Sequence, residues 1–259
     1  MSVVVITGAS SGIGRALALA WAEKGASIVL SARNEAALRD VAREVTHAGG
    51  EAFVEAGDVT NEDHRRRVVE RALAEKGRLD VLVNNAGRGY YATVAEVDAR
   101  ELEQLFALNV VAPVRLSQIA LEALGKSRGA IVMMSSVAGV VAAPRMGAYA
   151  ATKFALEAMA MSLRAEVRGR GIRVLVVRPG PVDTPFRAHS VTASGRAGVR
   201  PHGARPQLPT EIATRTIRAV ERHQSVLETS LFVRVASVTA RVAPAPFRWI
   251  SARMAAKEA

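Results

Sequence analysis

Cysteine is absent from the 259-residue chain. That excludes disulfides, thiolate zinc sites and cysteine nucleophiles, and it leaves the redox compartment open. Aromatic residues are scarce, 4% against 49% apolar residues overall, so a core has to be built from Val, Ala and Leu, as sheet-and-helix cores are. The most apolar stretch, AIVMMSSVAGVVAAP at 130–144, is short and carries two serines near its middle. The N-terminus, MSVVVITGAS, enters a strand pattern with no basic leader or cleavage site, which predicts a cytoplasmic location. Negative charge is also in deficit, with a formal net charge of +11. From Arg187 onward twelve Lys/Arg face four Asp/Glu, placing +8 in the last 73 residues. Such a surplus invites a nucleic-acid reading. The basic residues are nearly all arginine, however, without the interleaved aromatics of a single-strand platform, so no nucleic-acid partner is expected. No metal site is expected either.

What is present is an alternation. Apolar β-rich runs stand at 3–6 (VVVI), 27–30 (SIVL), 52–56 (AFVEA), 80–84 (DVLVN), 130–135 (AIVMMS) and 172–177 (IRVLVV), with helix-period segments between them. Near-continuous apolar strands alternating with helices predict an α/β, doubly wound, Rossmann-like parallel sheet with helices on both faces and right-handed crossovers. A catalytic domain over 1–229 is expected, followed by a basic amphipathic tail over 230–259. The pattern breaks between Arg187 and Pro209 into a stretch rich in Gly, Pro and Arg, read as a substrate lid over about 187–208. A last strand candidate, SVLET at 225–229, precedes the tail.

Between the first strand and the first helix lies TGASSGIG, Thr7 to Gly14, with glycines at 8, 12 and 14 and with Ser10, Ser11 and Ile13 between them. Glycine permits the tight turn and lets backbone amides approach a pyrophosphate at the positive end of a helix. Opening the first βαβ unit, this pattern predicts a dinucleotide site. A site for NAD normally places an acid at the end of the second strand, where it accepts from the ribose 2′-hydroxyl. Here that strand ends Ser31-Ala32-Arg33. No carboxylate repels a 2′-phosphate, and Arg33, with Arg15 just past the last glycine, can pair with one. NADP(H) is therefore expected over NAD(H).

The motifs then accumulate in one order: TGASSGIG at 7, GDVT at 57, NNAG at 84, Asn109, SSVAG at 135, YAATK at 149 and PGPVDT at 179. Together they resemble the short-chain dehydrogenase/reductase family in its short single-domain form, over roughly residues 1 to 186. The resemblance implies that Asp58 and Val59 flank the adenine, and that Asn84, Asn85, Ala86 and Gly87 line the cofactor and steady the sheet. It implies that Pro179, Gly180, Val182 and Thr184 wrap the nicotinamide end, and that Asn109, Ser136, Tyr149 and Lys153 form a catalytic tetrad. Of the paired serines, Ser136 lies thirteen residues before the tyrosine, the family's usual spacing.

Physical reasoning supports the same roles. A ketone that receives a hydride develops alkoxide character and needs a proton donor beside it. Free tyrosine has a pKa near 10, too high for easy exchange at neutral pH. A lysine four residues on shares its helix face and is expected to lower that pKa while also holding the nicotinamide ribose. Ser136 would hydrogen-bond the substrate oxygen where charge develops. For Asn109, inside the helical stretch LFALNVVAPV, two readings stay open: a water-borne proton relay to Lys153, or a core amide bonded to backbone.

The substrate is expected to be a small carbonyl or alcohol compound, in a mostly apolar pocket formed by Tyr90, Tyr91, Val137, Val140, Met146 and Phe186. A non-catalytic, NADP-sensing or partner-binding protein is the alternative, and the intact tetrad argues against it. In the tail Leu231, Val235, Val238 and Val242 form an apolar stripe beside a polar strip of Ser230, Arg234, Ser237 and Arg241. Past Pro244 and Pro246, residues Phe247, Ile250 and Met254 begin a second apolar face beside Arg248, Arg253 and Lys257. Such a surface is expected to be covered by the chain's own domain, by a second subunit of a homo-oligomer (dimer or tetramer), or by peripheral contact with an anionic membrane.

Overall fold

The computed structural model of the chain describes residues 1–188, 190–192 and 205–242. Seven parallel strands form one sheet: β1 (Val3–Thr7), β2 (Ser27–Ala32), β3 (Glu51–Ala56), β4 (Val81–Asn84), β6 (Ala130–Met134), β7 (Arg173–Arg178) and β9 (Val226–Glu228). Two short strands, β5 (Tyr90–Tyr91) and β8 (Val191–Thr192), pair apart from it. The order across the main sheet is β3-β2-β1-β4-β6-β7-β9. The chain winds outward one way from β1, then returns to β4 on the other side of β1 and winds the other way. In a doubly wound sheet the crevice for ligands opens at that reversal, beyond the carboxyl ends of β1 and β4. β1, β4 and β6 are buried along their whole length, as strands covered on both faces must be.

One face carries α1 (Gly12–Ala22), α2 (Glu35–His47) and α7 (Pro209–Glu221), whose Leu17, Trp21, Leu38, Val41 and Ile217 pack with the sheet into one apolar layer. The opposite face carries α3 (Glu62–Lys76), α5 (Ala112–Ser127) and α6 (Gly147–Glu166), with Val68, Leu116 and Leu156 in the second layer. Local chemistry sets the ends of these helices. Asn34 and Asn61 cap α2 and α3 by accepting from the amides of Ala37 and His64, each at 3.0 Å. Gly77, with φ of 67°, ends α3 in the left-handed conformation. α4 (Ala99–Phe106) runs into α5 through a π-helical turn over Ala107–Val111.

The seven main-sheet strands fall where the periodicity predicts them. The β5–β8 pair was not foreseen, and 193–204, most of the predicted lid, lies outside the described residues. The first part of the tail is helical. α8 (Leu231–Val242) packs through Val233 and Ser237, which are buried, while Leu231, Val235, Val238 and Val242 are exposed. α8 lies against Gly180, where an added Cβ would come within 3.1 Å of a Val233 methyl, so the missing side chain lets the helix approach. The second apolar face, Phe247 to Met254, lies outside the described residues.

Candidate active site

The glycine turn is built by close approach. Gly8 (φ +65°) and Gly12 (φ +54°) occupy the left-handed region. A Cβ on Gly14 would sit 2.2 Å from the carbonyl oxygen of Gly8, so α1 can leave β1 only without a side chain there. Thr7 and Asn85 then stitch β1 to β4 at the reversal point. Thr7 Oγ1 accepts from the amides of Asn85 and Ala86, each at 3.0 Å, and Asn85 Nδ2 donates to the carbonyls of Thr7 (2.9 Å) and Gly8 (3.2 Å). Asn84 is buried behind them and donates to Ser117 Oγ at 3.0 Å. It steadies the sheet and does not line the crevice.

A cavity of about 2020 Å³ opens over this turn, well above the roughly 300–1,000 Å³ that one small ligand needs. Gly8, Ser10, Ser11, Gly12 and Ile13 line it, with Arg33, Asp58, Val59, Asn85, Ala86 and Gly87. Pro179, Gly180, Val182 and Thr184 also line it, as do Ser136, Tyr149 and Lys153. Gly14 does not reach it and serves the turn. Arg15 departs from expectation, because its Nη2 lies 2.6 Å from Glu44 on α2 and it is not among the lining residues. Position i+3 from Gly12 points Arg15 across to the neighbouring helix, where an acid meets it.

A dinucleotide fits this crevice on three observations. The first turn of α1 has no side-chain cap and no acid, so its free amides and positive end face an anion. No acid stands at the end of β2, where Ser31 is bonded to His64 at 2.9 Å and Arg33 is exposed. Asp58 lies near Arg33. Burial raises its pKa, but hydrogen bonds from the Thr60 amide and hydroxyl, and then the charge of Arg33, hold it below the usual range.

At the far end Ser136, Tyr149 and Lys153 converge. Ser136 caps a 3-10 turn over Val137–Gly139, accepting from the Ala138 amide at 3.1 Å, and hydrogen-bonds the Tyr149 phenol. The Tyr149 ring meets Phe186 at 5.9 Å between centroids, and Lys153 Nζ lies 5.8 Å from the same ring. Lys153 donates to the carbonyl of Met134 at 2.9 Å, a contact that sequence could not supply. The expected lowering of the tyrosine pKa is not found in the ligand-free protein. Burial pushes Tyr149 well above its ordinary value, with only partial relief from the Ser136 hydrogen bond. Burial also pulls Lys153 from 10.5 down to about 8, against the supporting charge of Glu157. Desolvation outweighs pairing at both groups.

This has a measurable consequence. Lysine in the unfolded chain titrates near 10.5 and Lys153 in the fold near 8, so between those values the unfolded state holds more protons and stability rises with pH. From pH 8 to 10 the rise attributable to Lys153 is about 2–3 kcal/mol, at 1.36 kcal/mol per pKa unit. Denaturant melts of ligand-free protein across that window are expected to show this slope, and Lys153→Met is expected to lack it. Equal slopes in the two proteins would mean that Lys153 is not desolvated.

Asn109 is buried on the π-helical turn and makes the bonds of a core amide. Its Nδ2 donates to the Arg88 carbonyl (2.9 Å) and to Thr152 Oγ1 (3.1 Å), and its Oδ1 accepts from the Arg88 amide (3.1 Å). Pro113, four residues on, has no N–H to give to the Asn109 carbonyl. Of the pocket residues expected, Tyr91, Val137, Met146 and Phe186 line the cavity and Tyr90 and Val140 do not. Tyr90 is core, its hydroxyl accepting from the Asp98 amide at 3.0 Å. Sequence reasoning missed Phe232, Val235, Ala236 and Thr239, which place one face of α8 along the cavity. Their i, i+3, i+4, i+7 spacing was a legible signal.

Comparison with known proteins agrees with this arrangement. The family model described as short chain dehydrogenase matches residues 2–194. The mouse protein named dehydrogenase/reductase SDR family member 7B is 32% identical over 265 residues, covering 99% of this chain and 82% of its own length. A metagenomic short-chain oxidoreductase solved in complex with NADP is 33% identical, with a TM-score of 0.73 over 88% of this chain and 96% of its own. A short chain dehydrogenase/reductase from Burkholderia phymatum, solved in complex with NAD, is 26% identical, with a TM-score of 0.81 over 92% of each chain. With the glycine turn, the parallel sheet reversing beside it and the serine, tyrosine and lysine gathered at its far end, the chain belongs to the short-chain dehydrogenase family.

Proposed function

We propose that the protein is an NADP(H)-dependent oxidoreductase that interconverts a carbonyl and an alcohol, with Tyr149 as general acid and base. The observation that carries this reading is the convergence of Ser136, Tyr149 and Lys153 on the same cavity that the glycine turn opens. A nicotinamide cofactor bound there supplies or accepts the hydride. The turn at 8–13 and the α1 amides hold its phosphates, Asp58 and Val59 flank the adenine, and Thr184, with its side chain beside Gly12, closes over the middle. In the reducing direction Ser136 bonds the substrate oxygen and Tyr149 delivers the proton to it. Burial keeps that phenol protonated across the neutral range, which suits reduction; oxidation needs the phenolate and gains as pH rises. Lys153 stands one turn below to hold the ribose. A panel of carbonyls and alcohols followed by nicotinamide absorbance with both cofactors tests the reading. No turnover of any pair would favour the non-catalytic alternative.

The choice of NADP(H) rests on Arg33 at the cavity edge and on the missing acid beside it. The double change Ala32→Asp with Arg33→Ala removes a phosphate partner and adds a carboxylate that repels phosphate and accepts from a ribose hydroxyl. It is expected to move the NADPH-to-NADH ratio of kcat/KM by roughly a hundredfold, since each charged hydrogen bond is worth about 1.5–3 kcal/mol. A wild-type preference for NADH would overturn this reading of the second strand.

A further inference from the structure

Past Tyr149 the cavity is lined by apolar side chains, among them Val137, Met146, Phe186 and Phe232, and by two arginines, Arg88 and Arg187. The arginines differ. Arg88 is neutralised, with Nη2 2.7 Å from Glu101 and 3.3 Å from Gln104. Arg187 makes no ion pair among the described residues. Among the described residues, the acids lining the cavity are Asp58, which lies near Arg33, and Asp183, which is exposed and unpaired with Arg187.

Arg187 is also held in place. It ends the 3-10 turn Pro185–Arg187, whose Phe186 ring lies tilted against Tyr149. The segment that follows is fastened twice: Ser190 Oγ donates to the Phe186 carbonyl at 2.7 Å, and the Val191 amide donates to the Gly89 carbonyl at 3.1 Å. The β5–β8 pairing sets Tyr91 opposite Thr192, and the buried Tyr91 phenol hydrogen-bonds Arg187 and Ser190. A cation is thus positioned at the Tyr91 phenol, one residue from the Phe186 ring that meets Tyr149, with no ion-pair partner among the described residues. A guanidinium so placed is a planar receptor for a carboxylate or phosphate.

We propose that Arg187, steadied by Tyr91, receives an anionic group on the carbonyl substrate and sets the specificity of the cleft. The inference rests on the carbonyl-reducing reading of the site. It names a substrate class: a ketone or aldehyde that also bears a carboxylate or phosphate, with an apolar body against the cavity wall. The test is a series of oxo-carboxylic acids of increasing chain length, each assayed as the acid, as its methyl ester and as the matching phosphonate, with NADPH and wild-type, Arg187→Lys and Arg187→Met proteins. In the wild type the preferred anion should exceed its ester in kcat/KM by on the order of tenfold or more, mainly through KM. Acid against phosphonate tells which anion fits. Arg187→Met should collapse that ratio towards one and Arg187→Lys should keep part of it. Equal acid and ester rates in the wild type would overturn the proposal. So would an Arg187→Met that loses acid and ester alike or that weakens NADPH binding, because Arg187 would then belong to the cofactor. If no compound is reduced, the carbonyl-reducing reading fails separately. Equilibrium binding of the same acids to the NADP-loaded protein then decides: binding lost in Arg187→Met upholds an anion site, and no binding overturns it.

Discussion

Tyr149→Phe is expected to reduce turnover by about a thousandfold or more, at the upper end of what a positioned general acid contributes, with NADPH affinity little changed. The substitution is clean because the ring is what packs. Tyr149 is buried, its ring set against Phe186 and near Lys153, and phenylalanine keeps those contacts. Ser136 loses one partner but retains the Ala138 amide. Only a proton is removed from the place where alkoxide forms, and no neighbour can replace it: Lys153 is engaged with the Met134 carbonyl at 2.9 Å, and Tyr91 is committed to Arg187 and Ser190. Steady-state rates by nicotinamide absorbance, with fluorescence titration of NADPH, check both halves. Turnover within tenfold of wild type would end the proposed mechanism.

The second large effect lies behind the site. Arg178, at the end of β7, is buried and grips Glu157 of α6 with Nε at 2.9 Å and Nη2 at 2.8 Å, while Nη1 reaches Glu228 of β9 at 3.3 Å. One guanidinium thus joins the last two strands to the helix that carries Tyr149 and Lys153. Arg178→Met takes the hydrogen-bonded cation from two poorly exposed carboxylates and leaves Glu157 only the unbonded charges of Lys153 and Arg164, which costs about 3–5 kcal/mol, or roughly 6–20 °C in Tm for a chain of this size. Adding Glu157→Gln and Glu228→Gln should recover much of that loss, since the damage is uncompensated charge more than lost volume. A thermal melt of the single and triple variants checks this. An unchanged Tm in Arg178→Met would mean that the cluster contributes nothing net.

The frame of the molecule was legible because its signals are local. Apolar runs give strands, and the glycine spacing marks the first turn. Ser136, Tyr149 and Lys153 reach one cavity because a strand end and one helix turn hold them, so short-range order carries their spacing. What escaped the sequence depends on partners distant along the chain. Arg15 turns to Glu44 and not to the crevice, Asn109 finds the Arg88 backbone, and Lys153 finds a carbonyl on β6. The sign of the pKa shifts escaped for the same reason: a tyrosine–lysine pair on one helix face states an attraction, but only the fold states how little water reaches it. α8 shows the limit most plainly. Its amphipathic period can be read from the sequence, yet the contact of Val233 with Gly180, more than fifty residues earlier, cannot.

That helix also gives the molecule an order of manufacture. As the chain leaves the ribosome, the glycine turn, Asp58, Asn85 to Gly87, Tyr149, Lys153 and Gly180 are all delivered before residue 181, and β7 stands as the open edge of a six-stranded sheet. An open edge invites foreign strands, and this one is shielded only when Val226–Glu228 adds β9. The wall supplied by Phe232, Val235, Ala236 and Thr239 arrives later still. A nascent chain therefore has its nucleotide half assembled while its substrate half is still missing a side, and a dinucleotide captured at that stage would brace the unfinished sheet until its edge is covered.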